Sequence, residues 1–405
     1  MTAPRRKNVI YVTPDIERAM GMIPQSHYRI VTAKTPYAEE LHTAYPDFVT
    51  LLGNTSATTD TPSLLKEEEV RALALNLDAG IVVFKNNTLT EATASEKEIH
   101  LLNPRAALAE KIENKVSQVE WLGTLAEKYL PAHSIKMGKE LTWKKTPYIF
   151  QWAHGHTGET THLIRSEKDV GDIHATFPER IGRMSTFIQG PSFTVNAVIT
   201  GDRTLMGNIA YQITGVAPFT DYEFSTIGND WSLTHSLLSD SELMYIEAMV
   251  GEVGSALRES GWRGLFGIDI MRDDEQNRIF LIEINARQPA GAVYESQLQQ
   301  EFRRQGISGL TIFEAHIHAL TDEHISQPII PINDGSQIIQ RVTKLLKTVS
   351  PTTIDALKAV GHNVITYNNE ALNSNILRIQ SDKGIMETHT KFNARGKEIL
   401  TILIS

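Results

Sequence analysis

The segment Gly264–Arg287 constrains this chain more than any other. Two apolar runs, 264–271 and 279–286, flank the charged stretch Arg272-Asp273-Asp274-Glu275-Gln276-Asn277-Arg278. That pattern reads as an antiparallel hairpin with a solvated turn. Strand side chains alternate between faces. On that alternation Glu283, Asn285 and Arg287 share one face with Ile279 and Leu281, while Phe280, Ile282, Ile284 and Ala286 point into a core. If Arg272 faces Arg278, Asp269 lies opposite Leu281, one diagonal step of roughly 7–8 Å from Glu283. A carboxylate, an amide and a guanidinium in one row are costly to bury without partners. A lone strand Glu is most simply a solvated one. The complete row, with Asp269 and the small-residue exit Gln288-Pro289-Ala290-Gly291, outweighs that reading.

Two carboxylates and an amide oxygen converging from adjacent strands suit a hard cation that prefers oxygen and binds substrate phosphates, magnesium first. Arg287 offers a bidentate fork for phosphate oxygens.

Around the hairpin, short apolar runs alternate with helical patterns. Asn8 to Val12, Tyr28 to Thr32, Phe48 to Leu52 and Ile81 to Phe84 read as strands, and 62–80 as a helix stopped by Gly80. Such alternation implies a parallel sheet covered by helices, ending near residue 105. Residues 105–130 read as one long helix carrying Lys115. Tyr148-Ile149-Phe150 leads into a polar, glycine-containing loop, Gln151 to Thr161. Strands are expected at 184–189, 192–200 and 204–213, and a helix at 240–260. Further short strands at 337–343, 363–367, 375–379 and 397–404 suggest a small third unit. The length, 405 residues, fits two or three domains.

Composition removes several functions. Lys plus Arg total 39 against 48 Asp plus Glu, a formal charge of −9, without the basic surplus of a general nucleic-acid binder. Cysteine is absent, which excludes disulfides, thiolate nucleophiles and Cys-ligated metal clusters. No apolar run reaches the ~18 residues of a membrane span. The basic start Met1-Thr2-Ala3-Pro4-Arg5-Arg6-Lys7 is followed by too short an apolar stretch for a secretory signal. We expect a cytoplasmic protein with no nucleic-acid or membrane partner.

Gly267-Ile268-Asp269 followed by Glu283-Ile284-Asn285-Ala286-Arg287 resembles the metal-binding signature of the ATP-grasp superfamily, familiar from D-alanine–D-alanine ligase and biotin carboxylase. Phe187-Ile188-Gln189-Gly190-Pro191-Ser192-Phe193-Thr194-Val195 resembles its strand–Gly–strand element after the adenine hinge. The resemblance implies a mixed α/β and α+β fold. An N-terminal parallel-sheet domain (1–105) would precede a two-lobed ATP-grasp module (106–325, lid lobe about 145–185). A small C-terminal β-rich unit (326–405) would follow. It implies that Asp269, Glu283 and Asn285 hold magnesium, with manganese second, and that Arg287 is catalytic. Lys115 would contact nucleotide phosphates, and backbone groups of Thr186, Phe187 and Ile188 would read the adenine edge. The loop residues His154, Gly155, His156, Thr157 and Gly158 would close over the phosphates. Gln151 stands where the family often has a lysine. Ser185 and Ser192 stand where it often has acidic residues; Gln151 and Ser192 are still expected to face the nucleotide.

The implied activity is an ATP-dependent carboxylate–amine ligase working through an acyl phosphate, on small molecules such as an amino acid or peptide; for the oligomeric state the sequence carries no signal, and a homodimer is the commonest prior. The alternatives are a carboxylate–thiol ligase, a carboxylase, or a non-catalytic nucleotide-binding protein of this fold. His316 and His318 are two apart in a helical segment and do not share a face. Glu67-Glu68-Glu69 reads as a solvated face, and Arg263 reads equally as a contact for a substrate carboxylate or as a structural ion-pair former. Lys85, at a strand's carboxyl end, is a weaker ligand-contact candidate.

Overall fold

Four buried, β-branched runs build the first layer: β1 (Asn8–Thr13), β2 (Tyr28–Ala33), β3 (Val49–Leu52) and β4 (Ala79–Val83). They pair in parallel in the order β3-β2-β1-β4. Helices on both faces bury them, as all-parallel sheets require. The computed structural model describes residues 8–53, 59–153, 161–367 and 369–404.

Next comes a small antiparallel sheet of β5 (His133–Met137), β6 (Tyr148–Trp152), β7 (Thr161–Ile164) and β8 (Ile181–Thr186), ordered β5-β8-β6-β7. The largest layer has eight strands: β9 (Ser192–Ile199), β10 (Thr204–Thr214), β11 (Thr226–Asp230), β12 (Gly264–Asp273), β13 (Arg278–Asn285), β14 (Ser336–Arg341), β15 (Asn363–Thr366) and β16 (Asn375–Ser381). Their order is β13-β12-β9-β10-β11-β14-β16-β15, so the C-terminal β-rich unit extends the main sheet antiparallel to β11. Helix Asp240–Glu259 lies over this sheet. It begins with a Ser239/Glu242 capping box and buries Ile246, Met249, Val250, Val253 and Leu257 at helical spacing. Each such side chain contributes roughly 1.5–3 kcal/mol.

Several local expectations are corrected. The 62–80 pattern is two helices, Thr61–Lys66 and Glu68–Asn76, because Glu67 is extended; Gly80 lies inside β4. The 105–130 pattern is three, Ala106–Glu113, Ser117–Leu122 and Thr124–Tyr129, interrupted by extended Asn114 and by Gly123 at φ 55°. Residues 397–404 belong to helix Ala394–Ile404, which buries Ile399 and Leu403 four apart, not to a strand. The strand expected at 184–189 is β8, which begins and ends three residues earlier.

Two contacts aim the first layer at the hairpin. Tyr11 Oη donates to Gln288 Oε1 (2.7 Å), and Gln288 Nε2 donates to the Arg18 carbonyl (2.8 Å). The segment after β13 is thus pinned against the carboxyl end of the parallel sheet.

Candidate active site

The hairpin forms, with a different register. Asp273 faces Arg278 and Arg272 faces Ile279, and a bulge follows Leu281. The bulge places Asp269 directly opposite Glu283, not diagonally across from it. It also reverses the alternation. Ile279 and Leu281 therefore join Ile284 and Ala286 in the core cluster, and do not accompany the polar row.

Opposed strand residues bring two carboxylates close, and Asp269 shows the cost. Burial, then the charge of Glu283, pushes its carboxyl up to about 6, against hydrogen bonds from Thr194 and Asn285 and the charge of Arg287. Asn285 Nδ2 donates to Asp269 Oδ2 (2.9 Å) and Gln212 Nε2 to Oδ1 (2.7 Å). Ser192 Oγ donates to Gln212 Oε1 (2.7 Å), so Ser192 reaches the row through Gln212. Lys115, buried in the break after helix Ala106–Glu113, sets its Nζ 2.5 Å from Glu283 Oε1. Among the described residues no cluster of three His, Cys, Asp or Glu side chains is arranged to hold a metal. The donor set is two carboxylates and one amide. Its surplus negative charge, already answered at Glu283 by an ammonium, fits a hard cation with oxygen ligands.

The small sheet meets this row through Arg183 on β8. Its Nη2 donates to Gln151 Oε1 and to the Ile282 carbonyl at the bulge, both 2.8 Å. Nη1 reaches Gln118 Oε1 at 3.4 Å, and the buried Nε–H finds no acceptor among the described residues. Burial lowers its pKa to about 10, opposed by the charge of Glu283. Gln151 is thus engaged with Arg183 and, through Nε2, with Thr161 Oγ1 (3.2 Å).

Thr186 is exposed, Phe187 half-buried and Ile188 buried in the link from β8 to β9. Gly190 closes that link at φ 154°, where a Cβ would lie 2.1 Å from the Arg272 carbonyl. His154, Gly155, His156, Thr157 and Gly158 lie outside the described residues. Arg287 Nη1 sits 2.5 Å from Glu113 Oε1, and Lys85 Nζ 2.5 Å from Glu113 Oε2. His316 is buried and takes the Leu265 N–H, whereas His318 is a third exposed and faces Glu323, so they form no pair.

Glu113, Gln212 and Arg183 were not singled out from the sequence. Glu113 left a signal: its charge and that of Lys115, two residues apart, are opposite to those of Arg287 and Glu283.

The sequence profile of the ATP-grasp domain matches residues 112–291. The chain carries an ATP-grasp domain. The matched residues contain the small sheet, the β12–β13 hairpin and the link between β8 and β9. Solved structures of similar fold include N5-carboxyaminoimidazole synthase from Aspergillus clavatus, in complex with ADP and 5-aminoimidazole ribonucleotide. It is 14% identical over 98% of each chain, with a TM-score of 0.66. N5-carboxyaminoimidazole synthetase from Staphylococcus aureus is 10% identical over 98% of this chain and 97% of its own, at TM-score 0.64. The biotin carboxylase domain of Hydrogenobacter thermophilus 2-oxoglutarate carboxylase was solved with MgADP, ADP and bicarbonate. It is 14% identical over 93% of this chain and 86% of its own, at TM-score 0.61. At these identities the likeness is one of fold. No curated protein sequence matches the chain.

Proposed function

We propose that this chain is an ATP- and magnesium-dependent ligase that activates a small carboxylate as its acyl phosphate and passes the acyl group to a nitrogen nucleophile. The observation that carries it is the Asp269–Glu283 pair, face to face across the hairpin with Asn285 beside it, in an ATP-grasp module. Asp269, Glu283 and Asn285 would hold magnesium or manganese, which when bound neutralises charge on the nucleotide phosphates. Lys115, released from Glu283 by that cation, would turn its ammonium to the phosphates. Backbone groups at Thr186, Phe187 and Ile188 would take the adenine edge, with Gln151 and Ser192 behind the phosphates. The loop from His154 through Gly155, His156 and Thr157 to Gly158 would exclude water, which otherwise hydrolyses an acyl phosphate.

In this reading a carboxylate oxygen attacks the γ-phosphorus and ADP departs. An amine nitrogen then attacks the acyl carbon, phosphate departs, and the nitrogen loses a proton. Arg287 offsets the charge of the phosphoryl group in transit. No side-chain nucleophile is needed, in keeping with the absence of cysteine. A second reading makes the carboxylate bicarbonate and the product a carboxylated amine; it is favoured by the bicarbonate-bound carboxylase domain among the solved neighbours. Beside ADP, the ligands named with those neighbours are bicarbonate and 5-aminoimidazole ribonucleotide, not an amino acid or peptide. The substrate is therefore proposed only as a small carboxylate.

ADP release on mixing with ATP, magnesium, bicarbonate or a panel of carboxylates, and amines tests the proposal. Glu283→Ala should reduce it to background. Full turnover in that variant would remove the metal row from the chemistry.

A further inference from the structure

Glu113 ends helix Ala106–Glu113, and its carboxylate bridges two cations from distant parts of the chain. Lys85 Nζ holds Oε2 and Arg287 Nη1 holds Oε1, each at 2.5 Å. Lys85 follows the carboxyl end of β4, the edge where open parallel sheets receive ligands. Arg287 lies two residues beyond Asn285 of the metal row. The Glu113 side chain is 9% exposed, but those of Lys85 and Arg287 are 27% and 21% exposed. Both cations thus keep a solvent approach that the carboxylate lacks. Two residues on, Lys115 pairs with Glu283. The 113–115 segment therefore lies against the polar row through two ion pairs of opposite sense, Glu113–Arg287 and Lys115–Glu283.

We propose that Lys85 and Arg287 form a clamp for the reacting carboxylate of the substrate, and that Glu113 is a resident carboxylate which holds the clamp until substrate displaces it. This deepens the ligase reading and rests on it for the identity of the reaction. A carboxylate with one oxygen on each cation is the arrangement Glu113 already shows, so a free carboxylate can take the same two cations once the Glu113 side chain turns off them. The exchange keeps two charge-assisted hydrogen bonds on the clamp. An ammonium or a protonated amine is repelled by both cations. The subsite therefore selects the anionic reactant, and the nucleophile must arrive elsewhere. Arg287 follows Asn285 by two residues, and Lys115, two residues after Glu113, pairs with Glu283, so the clamp is tied to the row that would position the nucleotide phosphates. Lys85 is accordingly a binding residue for the substrate, contributed by the first layer and not by the ATP-grasp module.

The test titrates carbon-13 formate into the full chain, with and without MgADP, against chloride at equal ionic strength, and follows formate linewidth. Wild type should bind formate. Glu113→Gln, which removes the internal competitor's charge, should bind it about tenfold tighter, and Lys85→Met about tenfold weaker, the worth of one charge-assisted hydrogen bond. Calorimetric MgADP affinity should be unchanged in both variants. A Glu113 bridge of purely structural worth would leave wild type unable to take up formate and Lys85→Met without effect, and either result overturns the clamp. Formate no tighter in Glu113→Gln than in wild type overturns the resident-carboxylate part. Should MgADP fail to bind wild type while the formate pattern holds, the ligase reading falls and the clamp stands. Lys85→Met removes a partly exposed side chain and leaves Glu113 paired with Arg287, so this variant retains the fold even if Glu113→Gln does not.

Discussion

Glu295 is fully buried on helix Ala292–Arg304, and no cation pairs with it among the described residues. Asn196 Nδ2 (2.6 Å), Asn208 N (2.7 Å) and Asn208 Nδ2 (3.0 Å) donate to it. Burial outweighs those bonds and pushes its carboxyl up from 4.5 to about 7. Between those values the folded chain keeps a proton that the unfolded chain has released. This group's contribution is therefore complete below pH ~4.5 and is lost as the pH rises through about 7. Glu295→Gln should flatten that loss, by at most about 3 kcal/mol between pH 5 and 8. The new amide can donate to Asn196 Oδ1, which has no partner among the described residues. Urea midpoints of both proteins at the two pH values check it; parallel curves would mean Glu295 stays ionised throughout. At this scale Asp269, Glu283 and Asn285 were legible because charge in a strand is expensive and stands out. Glu113 and Arg183 were not, because a charge on a helix end or a short strand has a solvated reading until its distant partner is known.

Elements were legible where periodicity was long and their bounds were not. The hairpin, helix Asp240–Glu259 and the four parallel strands follow from hydrophobic spacing. The bulge after Leu281 does not, since one extra residue leaves no mark in composition, yet it decides which way Glu283 points. Helix Ala394–Ile404 was mistaken for a strand because its Ile- and Leu-rich run satisfies both periods. The link from β8 to β9 depends on a backbone approach that only glycine permits. At Gly190 a Cβ would sit 2.1 Å from a backbone carbonyl that is itself held in the hairpin, at φ 154°. Gly190→Ala should therefore destabilise the chain by about 2 kcal/mol or more, since neither strand can retreat without breaking its ladder. Denaturant unfolding measures it. A loss below about 0.5 kcal/mol, the scale of a neutral surface change, would show that the link yields freely.

At the scale of the molecule, sequence alternation announced a parallel layer and a β-rich end, but the order in which strands meet rests on contacts hundreds of residues apart. One of these ties the chain's beginning to its end. Glu17, just after β1, lies buried against Arg378 of β16: Nη2 to Oε1 at 3.0 Å and Nε to Oε2 at 3.1 Å. Tyr367 Oη also donates to Glu17, and Arg378 Nη1 donates to Gln337 Oε1 at 2.9 Å. Burial works against the Glu17 carboxylate, but Arg378, Arg18 and the Tyr367 hydroxyl together hold it below its ordinary value. The pair's contribution is thus present above the usual carboxylate range and is lost as the pH falls through the lowered value. Forming such a pair returns little beyond its desolvation cost, whereas breaking it strands one charge. Arg378→Met should therefore cost about 3–5 kcal/mol, leaving Glu17 with the Tyr367 hydroxyl and, for a cation, Arg18 Nε at 3.8 Å. Adding Glu17→Gln removes the stranded charge, so the double variant should be more stable than Arg378→Met alone. A urea double-mutant cycle measures the coupling. Additive losses would show that the first and last layers are held together by packing alone, and that the ion pair fixes their alignment without supplying net stability.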